Sequence, residues 1–182
     1  MLVEQLYQSL LENDKAIANL DFGDLQQVQR ANVKFFIIAC ASFFEGKIKR
    51  DIRNFVKEAS ANNRFLTKLV KEKLTDRNYY NIIDWKDTTK LKSFLKSFGV
   101  VEDDCNEIFQ NTDNIDLLFN AYLQIGITRN KLVHGKRDDE EDYSDILNVD
   151  IEQTLRDIYS QYNQANQFVD LIPSILKTTV RN

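Results

Sequence analysis

The only histidine of this chain closes the stretch Arg129-Asn130-Lys131-Leu132-Val133-His134, and Gly135 follows it. The stretch sits at the end of a helical pattern. With Arg129 taken as zero, Val133, Asn130 and His134 fall at roughly 40°, 100° and 140° on a helical wheel. Arg129, Asn130 and His134 therefore share one arc beside the core-facing side. Gly126 falls within the same arc one turn earlier, and a glycine there is expected to leave open space for a ligand or for the same helix of a second subunit. Gly135 is a natural helix stop, and a helix C-terminus favours the protonated imidazole.

Such a trio supports phosphodiester transfer without a metal. An imidazole can take a proton from a ribose 2′-OH or give one to a leaving 5′-oxygen. A guanidinium matches two phosphate oxygens and stabilises charge building at phosphorus. An amide such as Asn130 can hold a phosphate or fix the histidine tautomer. A single histidine does not easily serve as acid and base in one step, whereas two copies facing each other across a two-fold axis could. On spacing alone a packed or capping histidine accounts for the same pattern, and that reading stays open.

Helices must position these residues. The 182-residue chain has one Pro and five Gly, too few turn-formers for a β-sandwich. Apolar residues make up 43% and charged residues 29%, as expected of a soluble folded domain. The pattern predicts an all-α, antiparallel bundle of four to five main helices with short accessory helices, in one domain over residues 1–182.

The first helix is expected from Leu2 to Leu20, facing inward with Leu2, Leu6, Leu10, Ile17 and Leu20. Gly23 would then take a left-handed turn and Asp24 cap the next helix. That second helix runs from about Leu25 to Val56, nearly apolar all round in its middle, with Phe35, Ile38, Ala39, Ser42, Phe43, Ile48 and Ile52 keeping the period. Glu45 sits in that apolar stretch. It either pairs with Lys49 on a wet face or reaches across to orient Arg129. Gly46 beside it would let a neighbouring backbone come close.

Phe65, Leu66, Leu69, Val70 and Leu74 predict a short amphipathic helix, and residues 78–85 an aromatic connector that packs Trp85 on the bundle. A helix over Leu91 to Phe98 stops at Gly99, and another spans Glu102 to Gln110. The helix carrying the motif spans Asn114 to His134, with Leu118, Ala121, Ile125 and Leu132 inward. Residues 136–144 read as a charged, solvated loop. A last helix runs from about Val149 to Ile172, where Pro173 ends or kinks it.

The net charge of −4 argues against whole-surface nucleic-acid binding and leaves room for a local basic patch. Lys68, Lys71, Lys73, Lys86, Lys90, Lys92 and Lys96 make the middle of the chain basic, either as a solvated face or as a surface that tracks phosphates. Cys40 and Cys105 form neither a disulfide framework nor a zinc spacing. The expectation is reduced thiols in a cytoplasm, with no signal peptide, no membrane span, no metal and no cofactor.

Arg129 to Gly135 resembles the R-x4-H motif of the HEPN superfamily, including the polar residue after the arginine and the glycine after the histidine. Ala41-Ser42-Phe43-Phe44-Glu45 is similar to the small-aromatic-Glu segment of the RiboL-PSP-HEPN group, although Phe43-Phe44 stands where a tryptophan often precedes the acidic residue. Tyr79 to Trp85 and Phe94-Leu95-Lys96-Ser97-Phe98-Gly99 resemble that group's aromatic middle and F-G ending. The resemblance implies a metal-independent endoribonuclease, typically dimeric with the motif at the interface, in toxin–antitoxin, phage-defence or RNA-processing systems. Arg129 and His134 would be catalytic, Asn130 would assist and Glu45 would support. RNA would be the substrate and an antitoxin or regulatory protein a partner. The alternative is a non-catalytic helical dimerisation or interaction module that partners a nucleotidyltransferase or a defence protein.

Overall fold

The computed structural model describes residues 2–75, 85–86, 88–134 and 153–179, and of residues 73–75 and 134 the backbone alone. Helices form where a helical apolar period runs on, and among the described residues there is no strand. Helix α1 spans Leu2–Ala16, α2 Phe22–Ala59 and α3 Arg64–Leu69, the last running into a π-helical turn at Val70–Thr75. Then come α4 (Leu91–Ser97), α5 (Glu102–Asn111), α6 (Ile115–His134) and α7 (Leu155–Thr178). The chain is all-α, as its composition predicts, and α2, α6 and α7 pack on one another to form the body of the bundle.

The centre is aromatic. Phe168 of α7 lies 5.2 Å from Phe119 and 5.5 Å from Tyr122, both on α6, and 5.6 Å from Phe94 on α4. Phe44 of α2 stacks on Tyr162 at 5.4 Å and meets Tyr122 edge-on at 5.9 Å. Each such pair adds about 0.5–1.5 kcal/mol to the burial of its rings. Polar ties fix the helices along their length. Asn32, buried in α2, donates to Asp14 of α1 at 2.8 Å and accepts from Asn13. Lys47 of α2 pairs with Asp170 of α7 and donates to Asn166 at 3.2 Å.

Several expectations need correction. Helix α1 faces inward through Val3, Tyr7 and Leu10, while Leu2 and Leu20 are exposed. Tyr7 takes the lead because it stacks face to face on Tyr159 at 3.8 Å. Helix α2 starts at Phe22, so Gly23 and Asp24 lie inside its first turn, and Asp21 at the N-cap makes no side-chain hydrogen bond. Between Phe35 and Phe44 its buried face is turned by one residue from the expected one, whereas Ile48 and Ile52 are buried as expected. Phe36, Ile37, Cys40, Ala41 and Phe44 point inward, and Phe35 is 55% exposed.

Phe65, Leu66 and Leu69 of α3 are exposed, so this helix does not bury the apolar stripe its period predicts. Pro173 does not end α7, which continues to Thr178. The proline is exposed there, and Ile172, Ile175 and Leu176 around it are buried, so packing holds the helix together past the missing N–H. The start of α7 is set by a capping box in which Thr154 and Asp157 bond each other reciprocally.

Other expectations hold. Gly99, with φ of +87°, closes α4 by donating to Lys96 while Val100 donates to Leu95, a Schellman arrangement. Trp85 is buried on the bundle, at 6% exposure. The rest of the aromatic connector, the charged loop at 136–144 and the residues from Val149 to 152 lie outside the described residues.

Candidate functional site

Arg129 and Asn130 stand in the second-to-last turn of α6, both half-buried. Leu132 is buried and holds this end of the helix on the core, while Lys131 and Val133 point outward. Arg129 Nη1 donates to Asn130 Oδ1 at 3.0 Å. Asn130 Nδ2 donates in turn to the main-chain carbonyl of Trp85 at 3.4 Å. The guanidinium can only donate and the carbonyl can only accept, so the Asn130 amide has one orientation that satisfies both.

Glu45 faces this pair from α2, with Oε1 3.9 Å from Arg129 Nη2 and both side chains 16% exposed. That separation makes an ion pair, and it is too long for a direct hydrogen bond. Of the two readings of Glu45, its position matches the one that reaches across to Arg129. Gly46 next to it is exposed, and none of the described residues comes near the space a side chain would take there. The close backbone approach expected at Gly46 is absent among them.

Gly126 needs a larger correction. The space above it is filled by the chain itself. A Cβ at Gly126 would run into the indole ring of Trp85. The glycine thus admits an aromatic ring of the same chain, and that notch is open neither to a ligand nor to a second helix. Trp85 also meets Tyr122 edge-on at 5.9 Å. The Tyr122 hydroxyl is buried, and burial pushes its pKa far above the ordinary phenol range, with the Glu45 charge adding to the effect. The indole N–H of Trp85 pulls the other way without reaching hydrogen-bond geometry. Tyr122 is therefore a neutral phenol at any working pH, and it cannot serve as a base.

The structure thus brings Arg129, Asn130 and Glu45 together, with Gly126 beneath Trp85. The backbone of His134 closes α6, and its side chain and Gly135 lie outside the described residues. Trp85 and Tyr122 are the members that spacing did not reveal. One signal existed, since Tyr122, Gly126 and Asn130 recur every four residues and so form one ridge of α6.

The basic middle of the chain is partly neutralised. Lys92 and Lys96 of α4 converge on Glu102 of α5, Lys96 at 2.8 Å. The carboxylate holds the Lys96 pKa above its usual range, and the lysines hold that of Glu102 below. These two cations are committed to a carboxylate, which weakens the reading of this stretch as a phosphate track.

The fold and the motif together define an all-α domain with an arginine-led polar set at the end of a core helix. The family model for RiboL-PSP-HEPN matches residues 4–178, and the chain belongs to that family. Comparison with curated proteins gives no match, and neither does comparison with solved structures. No helix among the described residues is long and apolar enough to cross a membrane.

Proposed function

We propose that this chain is a metal-independent endoribonuclease acting as one domain and as a homodimer. The observation that carries the reading is the restraint on Arg129, which is held by Asn130 and faced by Glu45 in the helix that ends in the sole histidine. A guanidinium so held is preorganised for the charge on a phosphodiester in its transition state.

In this reading a ribose 2′-OH attacks the adjacent phosphorus. The 2′-proton passes to one imidazole, the P–O5′ bond breaks, and a second imidazolium protonates the leaving 5′-oxygen. The products are a 2′,3′-cyclic phosphate and a 5′-OH. Two His134 side chains from two copies would share the acid and base roles. The two cysteines are buried free thiols, which suits a cytoplasmic enzyme. A toxin or defence role, with an antitoxin or regulatory protein as partner, fits a chain built to cut RNA.

The test is incubation of the purified protein with total RNA in EDTA, followed by mapping of the cleavage ends. His134→Ala and Arg129→Ala should each abolish cleavage. Cleavage by both variants at the parent's rate would end the proposal.

One observation favours a second reading. Arg129 is only 16% exposed and is engaged within its own chain. That suits a non-catalytic interaction module in which the motif stabilises the helix end, serving a nucleotidyltransferase or a defence protein. Here Arg129→Ala lowers stability, and the parent leaves RNA intact.

A further inference from the structure

The Trp85 side chain runs along a single ridge of α6. Its ring meets Tyr122 edge-on, lies over Gly126, and its carbonyl accepts from Asn130. These three positions are four residues apart, so one residue from outside the helix touches three successive turns. The last contact is the one with consequences. The Trp85 carbonyl takes an N–H of Asn130, which turns the Asn130 oxygen toward Arg129.

We propose that Trp85 is a positioning residue for Arg129, acting through Asn130, and that Gly126 exists to seat it. The proposal rests on the ribonuclease reading only for its kinetic consequence. With the indole seated over Gly126, the carbonyl of residue 85 stands at a fixed height above Asn130. Unseat the ring and the carbonyl leaves, the amide is free to rotate, and Arg129 loses the acceptor that holds Nη1. Asn130 then has an orienting role and need not touch a phosphate. The last turns of α6 are coupled in this way to the segment that precedes α4. Trp85 is the only tryptophan in the chain, so its emission reports on this contact alone.

The experiment compares the full-length parent with Gly126→Ala and Asn130→Ala, and with Trp85→Ala against Trp85→Phe. In Gly126→Ala the added methyl displaces the ring. Emission should shift to longer wavelength and acrylamide quenching should rise, while far-UV circular dichroism keeps its helical signal. The Arg129 guanidinium resonances in ¹⁵N NMR, slow to rotate in the parent, should average. On RNA, kcat should fall about 10- to 100-fold, as for a misplaced group, with KM within about twofold.

Asn130→Ala removes the same link from its other end without touching the ring's seat. It should leave emission and quenching as in the parent, average the Arg129 resonances and lower kcat alike, which covers the case of a Gly126→Ala chain that does not fold. Trp85→Phe should recover most of the kcat that Trp85→Ala loses, because an aromatic ring still anchors the carbonyl.

The proposal is overturned if Gly126→Ala leaves emission and quenching unchanged. It is also overturned if the ring is freed while the Arg129 resonances and kcat stay as in the parent. If the parent cuts no RNA, the ribonuclease reading falls, and fluorescence and the Arg129 resonances still decide whether the seat holds the guanidinium.

Discussion

Replacing Arg129 by alanine does two things at once, and the structure allows them to be separated. It removes the guanidinium from the motif, and it strands Glu45, whose Oε1 is buried and has no hydrogen-bond partner among the described residues. At 3.9 Å the bare attraction between the two charges is about 4 kcal/mol at an effective dielectric near 20. Desolvation takes back much of it. Breaking one side of a fully buried pair costs about 3–5 kcal/mol. With each partner 16% exposed, water relieves part of that, and about 2 kcal/mol is the expected loss for Arg129→Ala.

For a chain of this size that lowers Tm by about 4–8 °C. Glu45→Gln keeps the shape and leaves Arg129 its Asn130 acceptor, so it should cost about half as much. In the double variant neither charge is left alone, and the loss should fall short of the sum by about 1–2 kcal/mol. The assay is urea unfolding of the four proteins at low and at 0.5 M salt, with RNA cleavage measured on each. The coupling should survive salt, since a pair this sheltered is weakly screened. The double variant should regain stability without regaining cleavage. A coupling below about 0.3 kcal/mol would mean that the two groups are neighbours without being partners, and the account of how Arg129 is held would fail.

Two further outcomes follow from the helices themselves. Pro173→Ala restores an N–H to an exposed position inside α7, where the carbonyl of Val169 lacks its usual donor. Tm should rise by about 3–6 °C in thermal unfolding, and no gain would show that the missing N–H costs this helix nothing. Burial raises the Asp51 carboxyl above its ordinary range, against the pull of Arg50 and Lys47. The folded chain thus holds that proton to higher pH than the unfolded chain, so stability falls as pH rises through this window. Asp51→Asn should raise Tm by about 1–2 °C near pH 7 and lose that advantage below about pH 4, as followed by melting across pH.

The helices were legible because their periods are long and their breaks are few. The extents of α2 and α6 follow the apolar pattern closely, and Gly99 ends α4 as a glycine in the left-handed region should. Which face α2 buries was not legible, for a local reason. From Phe35 to Phe44 almost every residue is apolar or small, so several rotations of the helix bury similar area. The choice of Phe36, Ile37, Cys40 and Phe44 over Phe35, Ile38 and Ser42 is made by partners on other elements, Tyr7, Tyr159 and Tyr162 among them. Pro173 misled as a helix end for a related reason. A helix end is a local property only when nothing else holds the next turn, and here Ile172, Ile175 and Leu176 do.

The site shows the same division between what lies along one helix and what comes from elsewhere. Arg129, Asn130 and Gly126 could be placed on one arc from spacing alone, because all three belong to α6. A glycine within a helix says that something approaches closely, and nothing in its neighbours says what. Here the occupant is Trp85, 45 positions from Asn130, and its arrival changes what a second copy of the chain can do. The notch over Gly126 is taken by an indole of the same chain, so a partner cannot use it. If two motifs face each other, they must meet over the outward side of the last turns, where Lys131 and the 38%-exposed Val133 lie. Val133→Glu would then place a charge in that contact and drive the protein to monomer, while leaving the Trp85 emission untouched. A dimer that survives Val133→Glu would move the two-fold axis away from the motif, and with it the supply of a second imidazole.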